Sequence, residues 1–363
     1  MDIAVLGGGN GSFAAAGDLA LAGHRVRLWR REEAAAAAHR ENGSAVTVRD
    51  FRGTHEATLA LVTSDIGAVV RGAKLIICPT PAFAQADIAK RLAPHLADGQ
   101  VVFLPPGTFG SVVFAQAARQ SGNRSGAAFA ETGTLPWLAR KQGPYEVRIS
   151  ARGKHLPTGV FPAARADEAL AVIDRAFPGT IRACGDALSG ALMNGGPIIH
   201  PPLIILNAAP LEHFDKWDIH NEGTQPAVRR VTDALDRERV AIREALGYAA
   251  PHFPLADHYA ASGPEWMYGR GSHEKLTDSG DWREHIVLTE HRYMLEDVRL
   301  GLALLASAAR LAGCAAPLVE AFLAIGGAIC SEDFATAGRT LANLGLGGLD
   351  RASLQKLLHE GFA

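Results

Sequence analysis

The chain has little cysteine. Four residues, Cys78, Cys184, Cys314 and Cys330, are scattered through 363 positions, too few and too irregular for a disulfide framework or a thiolate zinc site. They read as buried thiols of a reducing compartment, so a cytoplasmic protein is expected. A long hydrophobic run is also lacking: no stretch reaches the roughly 18 uncharged apolar residues of a membrane-spanning helix. The opening strand shows no basic and apolar leader, and no targeting segment is expected. Net charge is only −2 and no basic block interrupts the chain, which excludes the electrostatic footprint of a nucleic-acid or anionic-membrane partner. No HExxH spacing occurs among the 14 histidines, and the separation of His285 from His291 does not place both rings on one helix face; no metal is expected. Small-molecule ligands remain.

What is present is ample core material: 48% of the residues are hydrophobic, enough for two domains. Up to about residue 185 strands alternate with helices. Strand candidates are Asp2 to Leu6, Arg25 to Trp29, Ala45 to Val48, Thr58 to Val62, Lys74 to Cys78, Gln100 to Leu104 and Ala127 to Glu131, with a short one at Ile181. Helix candidates between them lie near 10–23, 31–42, 65–71, 83–96, 111–120 and 167–176. This alternation predicts a doubly wound, mainly parallel sheet of the Rossmann type. Glu146 to Ala151 and Thr158 to Phe161 read as an added hairpin. From residue 186 to 363 the pattern is helical only, with apolar-periodic segments at 188–207, 226–246, 286–311 and 317–329 and shorter helices at 334–344 and 352–361. The expected organisation is therefore an α/β domain over 1–185 followed by an all-α domain over 186–363. The glycine- and aromatic-rich stretch from Tyr259 to Asp281 reads as a loop-rich segment, either a closing loop or a surface connection.

The most informative stretch is the first. Asp2-Ile3-Ala4-Val5-Leu6 runs into Gly7-Gly8-Gly9-Asn10-Gly11-Ser12 and then an alanine-rich helix, the arrangement that seats a pyrophosphate on a helix N-terminus. Gly7 suits the turn, Gly9 permits close approach to phosphate, and Ser12 is small enough for the position that packs helix on strand; Asn10 and Gly11 complete the cofactor turn. Glycine triplets occur in many turns, and the strand before with the helix after is what gives this one its meaning. About 20 residues on, where an acidic residue would meet a ribose 2′-hydroxyl, the chain carries Arg30-Arg31. Guanidinium groups accept a 2′-phosphate that a carboxylate would repel, so NADP(H) is favoured and NAD(H) stays compatible. Ligands lie outside the carboxyl ends of such strands, which brings in the rigid turns Pro79-Thr80-Pro81-Ala82 and Pro105-Pro106-Gly107-Thr108.

Hydride transfer needs a proton donor and acceptor near neutral pH. His200 stands out among the histidines, flanked by Pro197 and Pro201, which would distort a helix and turn the imidazole toward a cleft. Without a partner it would be a core histidine satisfied by a carbonyl. Glu296 and Asp297 enter an otherwise apolar helical stretch; about 100° apart on a helix, only one of them can meet His200 and the other is expected in solvent. Arg292, about one turn away, is a candidate clamp for a substrate carboxylate.

The glycine turn, Glu131 with Leu135-Pro136-Trp137, Asn194…Pro197…His200-Pro201 and Glu296-Asp297-Val298…Gly301-Leu302 together resemble the octopine/nopaline (opine) dehydrogenase family over nearly the whole chain. The resemblance implies an oxidoreductase with a Rossmann domain and a helical domain of the 6-phosphogluconate dehydrogenase C-terminal type. It implies reductive condensation of an amino acid with a 2-oxo acid through an imine formed in the interdomain cleft. It assigns the acid/base pair to His200 and Asp297, and substrate contacts to Glu131 and Asn194. Gly195-Gly196, where bulkier residues are expected, and Arg299, where relatives carry proline, depart from the pattern. A ketopantoate or glycerol-3-phosphate type of reductase would use a lysine, and the helical region offers only Lys216, Lys275 and Lys356, none in an apolar motif. A non-catalytic NADP(H)-binding sensor is the alternative of another class. A homodimer is compatible with this reading.

Overall fold

The computed structural model describes residues 1–259, 262–263, 265–269 and 285–362, and most of the loop-rich segment expected at Tyr259 to Asp281 lies outside them. The chain divides into two compact units, Met1–Ala191 together with the chain from Leu357 on, and Leu192–Lys356.

The first unit is built on strands β1 (Asp2–Leu6), β2 (Arg25–Trp29), β5 (Leu61–Thr63), β6 (Leu75–Ile77), β7 (Val101–Leu104), β8 (Ala128–Thr132), β11 (Leu156–Phe161) and β12 (Ile181–Asp186). They form one sheet in the order β12-β11-β8-β7-β6-β1-β2-β5. Neighbours are parallel except β11, which runs antiparallel to β8. The order reverses between β1 and β6, so the topological switch point lies at the ends of these two strands, where the glycine turn and Pro79-Thr80 begin. β1, β6 and β7 are apolar throughout because both faces of a parallel sheet are covered.

A second sheet, β4-β3-β10-β9, joins two excursions from the first: the hairpin β3 (Ala45–Asp50) and β4 (Gly53–Thr58), and the hairpin β9 (Trp137–Lys141) and β10 (Glu146–Arg152). β10 and β3 pair in parallel. The expected strand over Thr58 to Val62 is thus two strands in different sheets, and the expected hairpin of Glu146 to Ala151 with Thr158 to Phe161 does not form, because β10 and β11 go to different sheets. β4 and β9 are edge strands without a clean alternation, β4 polar almost throughout and β9 a short Trp137-Leu138-Ala139 run ending in two charges, so neither carries a strand signature in sequence.

The helix Asn10–Leu21 lies between the two sheets. A Cβ at Gly17 would overlap Val48 Cγ2 of β3, and Ser12 and the run Phe13 to Ala16 are inaccessible to solvent. A helix buried on all sides is apolar on all sides, which accounts for its alanine content. One hydrophobic cluster accordingly spans both sheets, from Ile3, Val5 and Leu28 to Val46, Val48, Val147 and Ile149. Arg152 ties the layers with hydrogen bonds to Asp18 Oδ1 at 2.6 Å and Asp50 Oδ2 at 2.7 Å, and Trp137 Nε1 donates to Asp18 Oδ2 at 2.7 Å.

The second unit is helical. Its helices include Gly196–Leu206, Ala208–His213, Pro226–Ala245, Ala303–Ala312, Pro317–Cys330 and Phe334–Ala337. The segment expected as one helix over 188–207 breaks at residues 192–195, and that expected over 286–311 begins only at Tyr293, first as a π-helix, Tyr293–Leu302. Residues 338–344 are turns rather than the continuation of a helix. Gly196–Leu206 runs through Pro201 and Pro202; the missing N–H groups deprive the carbonyls of Pro197 and Ile198 of their usual donors without stopping the helix. Arg239, almost wholly buried, donates to Asp236 and to the carbonyls of Leu192, His252 and Phe253, holding the loop that follows Pro226–Ala245.

Candidate active site

In the first unit the glycine turn is shaped for a close ligand. Gly7 has φ +122°, and an added Cβ would stand 2.6 Å from Ser12 Oγ and 3.1 Å from Thr80 Cγ2. Ser12 Oγ donates to Leu6 O at 3.3 Å. Gly11 faces Pro79, 3.1 Å from where its Cβ would be, so its smallness serves the neighbouring loop. Gly9 meets nothing within 4 Å and starts the helix without a side-chain cap. The first-turn amides there present partial positive charge to an incoming anion. Asn10 Oδ1 accepts from the Lys141 amide at 3.0 Å. This open, uncapped cradle at the switch point fits the pyrophosphate of a nicotinamide dinucleotide.

The loop after β7 is held by Glu131. Its Oε2 accepts from the Phe109 amide at 2.6 Å and its Oε1 from the Ser111 amide at 3.2 Å, and a Cβ at Gly107 would overlap the carboxylate. Thr108 and Phe109 both have positive φ, a strained backbone that the buried carboxylate locks in place. Glu131, expected at a substrate amine, has zero exposure here and both of its oxygens engage loop amides. Arg30 lies against Gly8, whose Cβ would come within 2.8 Å of Nε; Arg31 is half-exposed and 3.6 Å from Asp87 Oδ2.

In the second unit His200 Nδ1 lies 2.6 Å from Asp297 Oδ2. The local sequence explains the approach. A Cβ at Gly196 would overlap Asp297 Oδ1, and one at Gly301 would overlap Pro197 Cγ, so these glycines let the His200 helix and the π-helix touch. Gly196, a departure from the family pattern, is therefore the residue that gives the carboxylate room. Asn194 Oδ1 accepts from the Gly196 amide at 2.9 Å and fixes the start of the helix. Glu296, expected in solvent, is 4% exposed like Asp297, because the π-helix turns both inward; its Oε2 is 4.0 Å from Arg292 Nη1. Arg299 Nη2 bonds Glu332 Oε1 at 2.6 Å, a pair that proline could not make.

Tyr293 was not singled out from sequence. Its ring stacks on His200 at 3.6 Å between centroids and 8° between planes, and its hydroxyl is 3.1 Å from Nε2 of the buried His220. His291 meets the same ring edge-on and the Arg292 guanidinium lies 5.2 Å from its centroid. No local spacing could reveal His220, which sits in a turn far upstream; Tyr293 was adjacent to the Arg292 and Asp297 already noted.

Burial opposes charge on both members of the pair. It raises the Asp297 carboxyl to about 7, against the opposing charges of Arg292 and His291. It pushes His200 well below the ordinary histidine value, with Arg292 and His291 adding to the effect. Burial thus favours the uncharged form of each partner, and the hydrogen-bonded pair titrates as one unit. Burial also opposes the charge of Arg292, but Tyr293, Glu296 and Asp297 outweigh it and keep the guanidinium cationic. Its side chain is 48% exposed, leaving a fixed positive charge beside the His200–Asp297 pair.

A Rossmann unit with an open phosphate cradle, followed by a helical unit carrying a buried histidine and carboxylate, defines a nicotinamide-dependent oxidoreductase of two-domain type. Residues 183–330 match the model of the NAD/NADP octopine/nopaline dehydrogenase alpha-helical domain, and residues 3–155 match that of ketopantoate reductase PanE/ApbA. The opine dehydrogenase of Arthrobacter sp. (strain 1C) is 31% identical over 97% of both chains. Among solved structures, octopine dehydrogenase in complex with NADH and agmatine superposes with a TM-score of 0.71 at 16% identity, covering 99% of this chain and 98% of that one. NADP+-bound yersinopine dehydrogenase does so with a TM-score of 0.65 at 14% identity, covering 99% and 98%. The chain belongs to the opine dehydrogenase family. It is an NAD(P)-dependent oxidoreductase that reductively condenses an amino acid with a 2-oxo acid.

Proposed function

We propose that this protein takes its hydride from NADPH and forms an opine-type secondary amine dicarboxylate, with His200 as the acid/base, Asp297 as its orienting partner and Arg292 as the clamp for a substrate carboxylate. The observation that carries this reading is the 2.6 Å bond between His200 Nδ1 and Asp297 Oδ2 beside the cation of Arg292. A carboxylate on Nδ1 fixes the tautomer and leaves Nε2 to exchange a proton with substrate. In the condensing direction the protonated pair donates to the carbonyl oxygen as water leaves, and the arginine neutralises the oxo acid's carboxylate. With its pyrophosphate held in the cradle of Gly7, Gly9, Asn10, Gly11 and Ser12 and the turns at Pro79-Thr80 and Gly107 beside it, the bound cofactor would supply the hydride for the imine carbon. Glu131 is assigned to shaping that second turn, and Asn194 to holding the His200 helix near the substrate. We place the protein in the cytoplasm on the strength of its four free thiols.

The test is a matrix of amino acids against pyruvate, 2-oxoglutarate and oxaloacetate, followed by NADPH absorbance and repeated with NADH. Turnover that needs both substrates is expected; turnover of an oxo acid without an amine would instead favour the ketopantoate or glycerol-3-phosphate type. Against that type, Lys216 and Lys356 are exposed on the surface, while Lys275 falls outside the described residues. A sensor would bind NADPH and give no turnover with any pair.

A further inference from the structure

Two cations sit beside the glycine turn without a counter-charge. Arg30 follows β2 and lies over Gly8, and its guanidinium carbon is 5.3 Å from the centroid of Phe13. Lys141, the last residue of β9 in the second sheet, brings Nζ to 4.0 Å from the same centroid, and its amide bond to Asn10 Oδ1 pins the end of that strand to the first residue of the helix. Among the described residues neither side chain has an acidic partner, and Arg30 Nη1 is buried without a hydrogen bond. The surrounding groups do not compensate. His39, fully buried and stacked between Phe13 and Tyr145, holds Ala45 O through Nε2 and is kept neutral by burial, by Arg30 and by Lys141. Burial and the charge of Arg30 both lower the affinity of Lys141 for its proton.

Uncompensated, half-buried cations are costly unless something anionic joins them. Arg31, the other arginine of the pair, is a poorer candidate: it is half-exposed and already lies 3.6 Å from Asp87. We propose that Arg30 and Lys141, one from each sheet, form a clamp for a phosphate monoester at the ribose 2′-position of the cofactor, making the second sheet the determinant of preference for NADP(H). The inference rests on the cofactor reading above and names Lys141 as the second cation. The pyrophosphate has its own seat at the helix N-terminus, so the clamp is left for a separate phosphate.

Binding without turnover tests this. Calorimetric titration of the full chain with adenosine 2′,5′-bisphosphate and with adenosine 5′-monophosphate is expected to show preference for the bisphosphate. Lys141→Gln, which keeps a stem over Phe13 and removes the charge, and Arg30→Met should each weaken bisphosphate binding by about 10- to 100-fold, the range for hydrogen bonds to charged groups. Both should leave the monophosphate within about twofold, and Arg31→Met should leave both ligands unchanged. If Lys141→Gln does not fold, Lys141→Met is the second variant, with a melting curve of the ligand-free chain as the check. Equal binding of the two nucleotides by the parent chain, or full bisphosphate affinity in the folded Lys141 variant, overturns the clamp. If that happens while amine and oxo acid still turn over with NADH, the enzymatic reading stands alone. Tight bisphosphate binding with no turnover of any pair leaves the clamp standing and removes the reaction.

Discussion

The proposed dyad of His200 and Asp297 would join chemistry and stability in a single pair of side chains. His200→Ala should lower kcat/KM by on the order of 10²-fold or more, the usual contribution of a general acid–base, with NADPH affinity unchanged by titration. With the carboxyl raised to about 7, condensation needs the protonated pair and should fall off as pH rises through that value, while oxidation of the opine needs the deprotonated pair and should fall off below it. Parallel pH profiles in both directions would count against the dyad. The same shift has a stability sign. Asp297 titrates higher in the folded chain than its ordinary 3.8, so its contribution is fully present below that value and is lost as pH rises through about 7. Asp297→Asn should therefore melt higher relative to the parent at pH 8.5 than at pH 6; a gap independent of pH would show that the carboxylate is not strained by burial. Gly196 belongs at this scale as well. Gly196→Ala should displace Asp297 and depress activity nearly as far as Asp297→Asn, read by comparing the two variants at equal folded fraction.

Among the elements, the π-helix Tyr293–Leu302 matters most, because it carries Arg292's neighbours, Tyr293, Glu296 and Asp297 on one inward surface. Periodicity marks a helix there but cannot distinguish a π-helical stretch from an α-helix, so a choice between Glu296 and Asp297 on a 100° wheel was bound to put one in solvent. The second sheet was equally hard to read. Its edge strands lack a clean alternation, and its pairing of β10 with β3 brings together segments that the main sheet's alternation suggests belong apart. What holds it to the first helix is partly electrostatic. Burial opposes the charge of Asp50, yet Arg52 and Arg152 hold its carboxyl down at about 2. Arg152→Leu should destabilise the first unit by about 2 kcal/mol, less than the 3–5 kcal/mol of a fully buried pair because the arginine is 28% exposed. Urea unfolding at pH 7 measures it, and the deficit should shrink as pH falls toward 2 and Asp50 takes up its proton.

For the molecule as a whole, two compact units mean that a ligand of one need not stabilise both. NADPH at about 100 times its Kd should stabilise the unit that binds it by about 2.7 kcal/mol. Hydrogen exchange is expected to show the gain over the glycine turn, the end of β2 and the loop at 105–110; protection spread evenly over the helical unit would contradict a cradle built from residues 7–12. The sequence by itself determined the cofactor turn and the alternation of the main sheet's strands with helices, because turn chemistry and hydrophobic periodicity act between near neighbours along the chain, and its motifs carried the resemblance to the family and to the His200–Asp297 pair. Only the tertiary structure decided that Glu296 is buried along with Asp297, that Glu131 turns into the loop at Phe109, and that Lys141 comes to lie beside Arg30. Those meetings join residues far apart in the chain, and they depend on the register and close packing of whole elements, which no local pattern encodes.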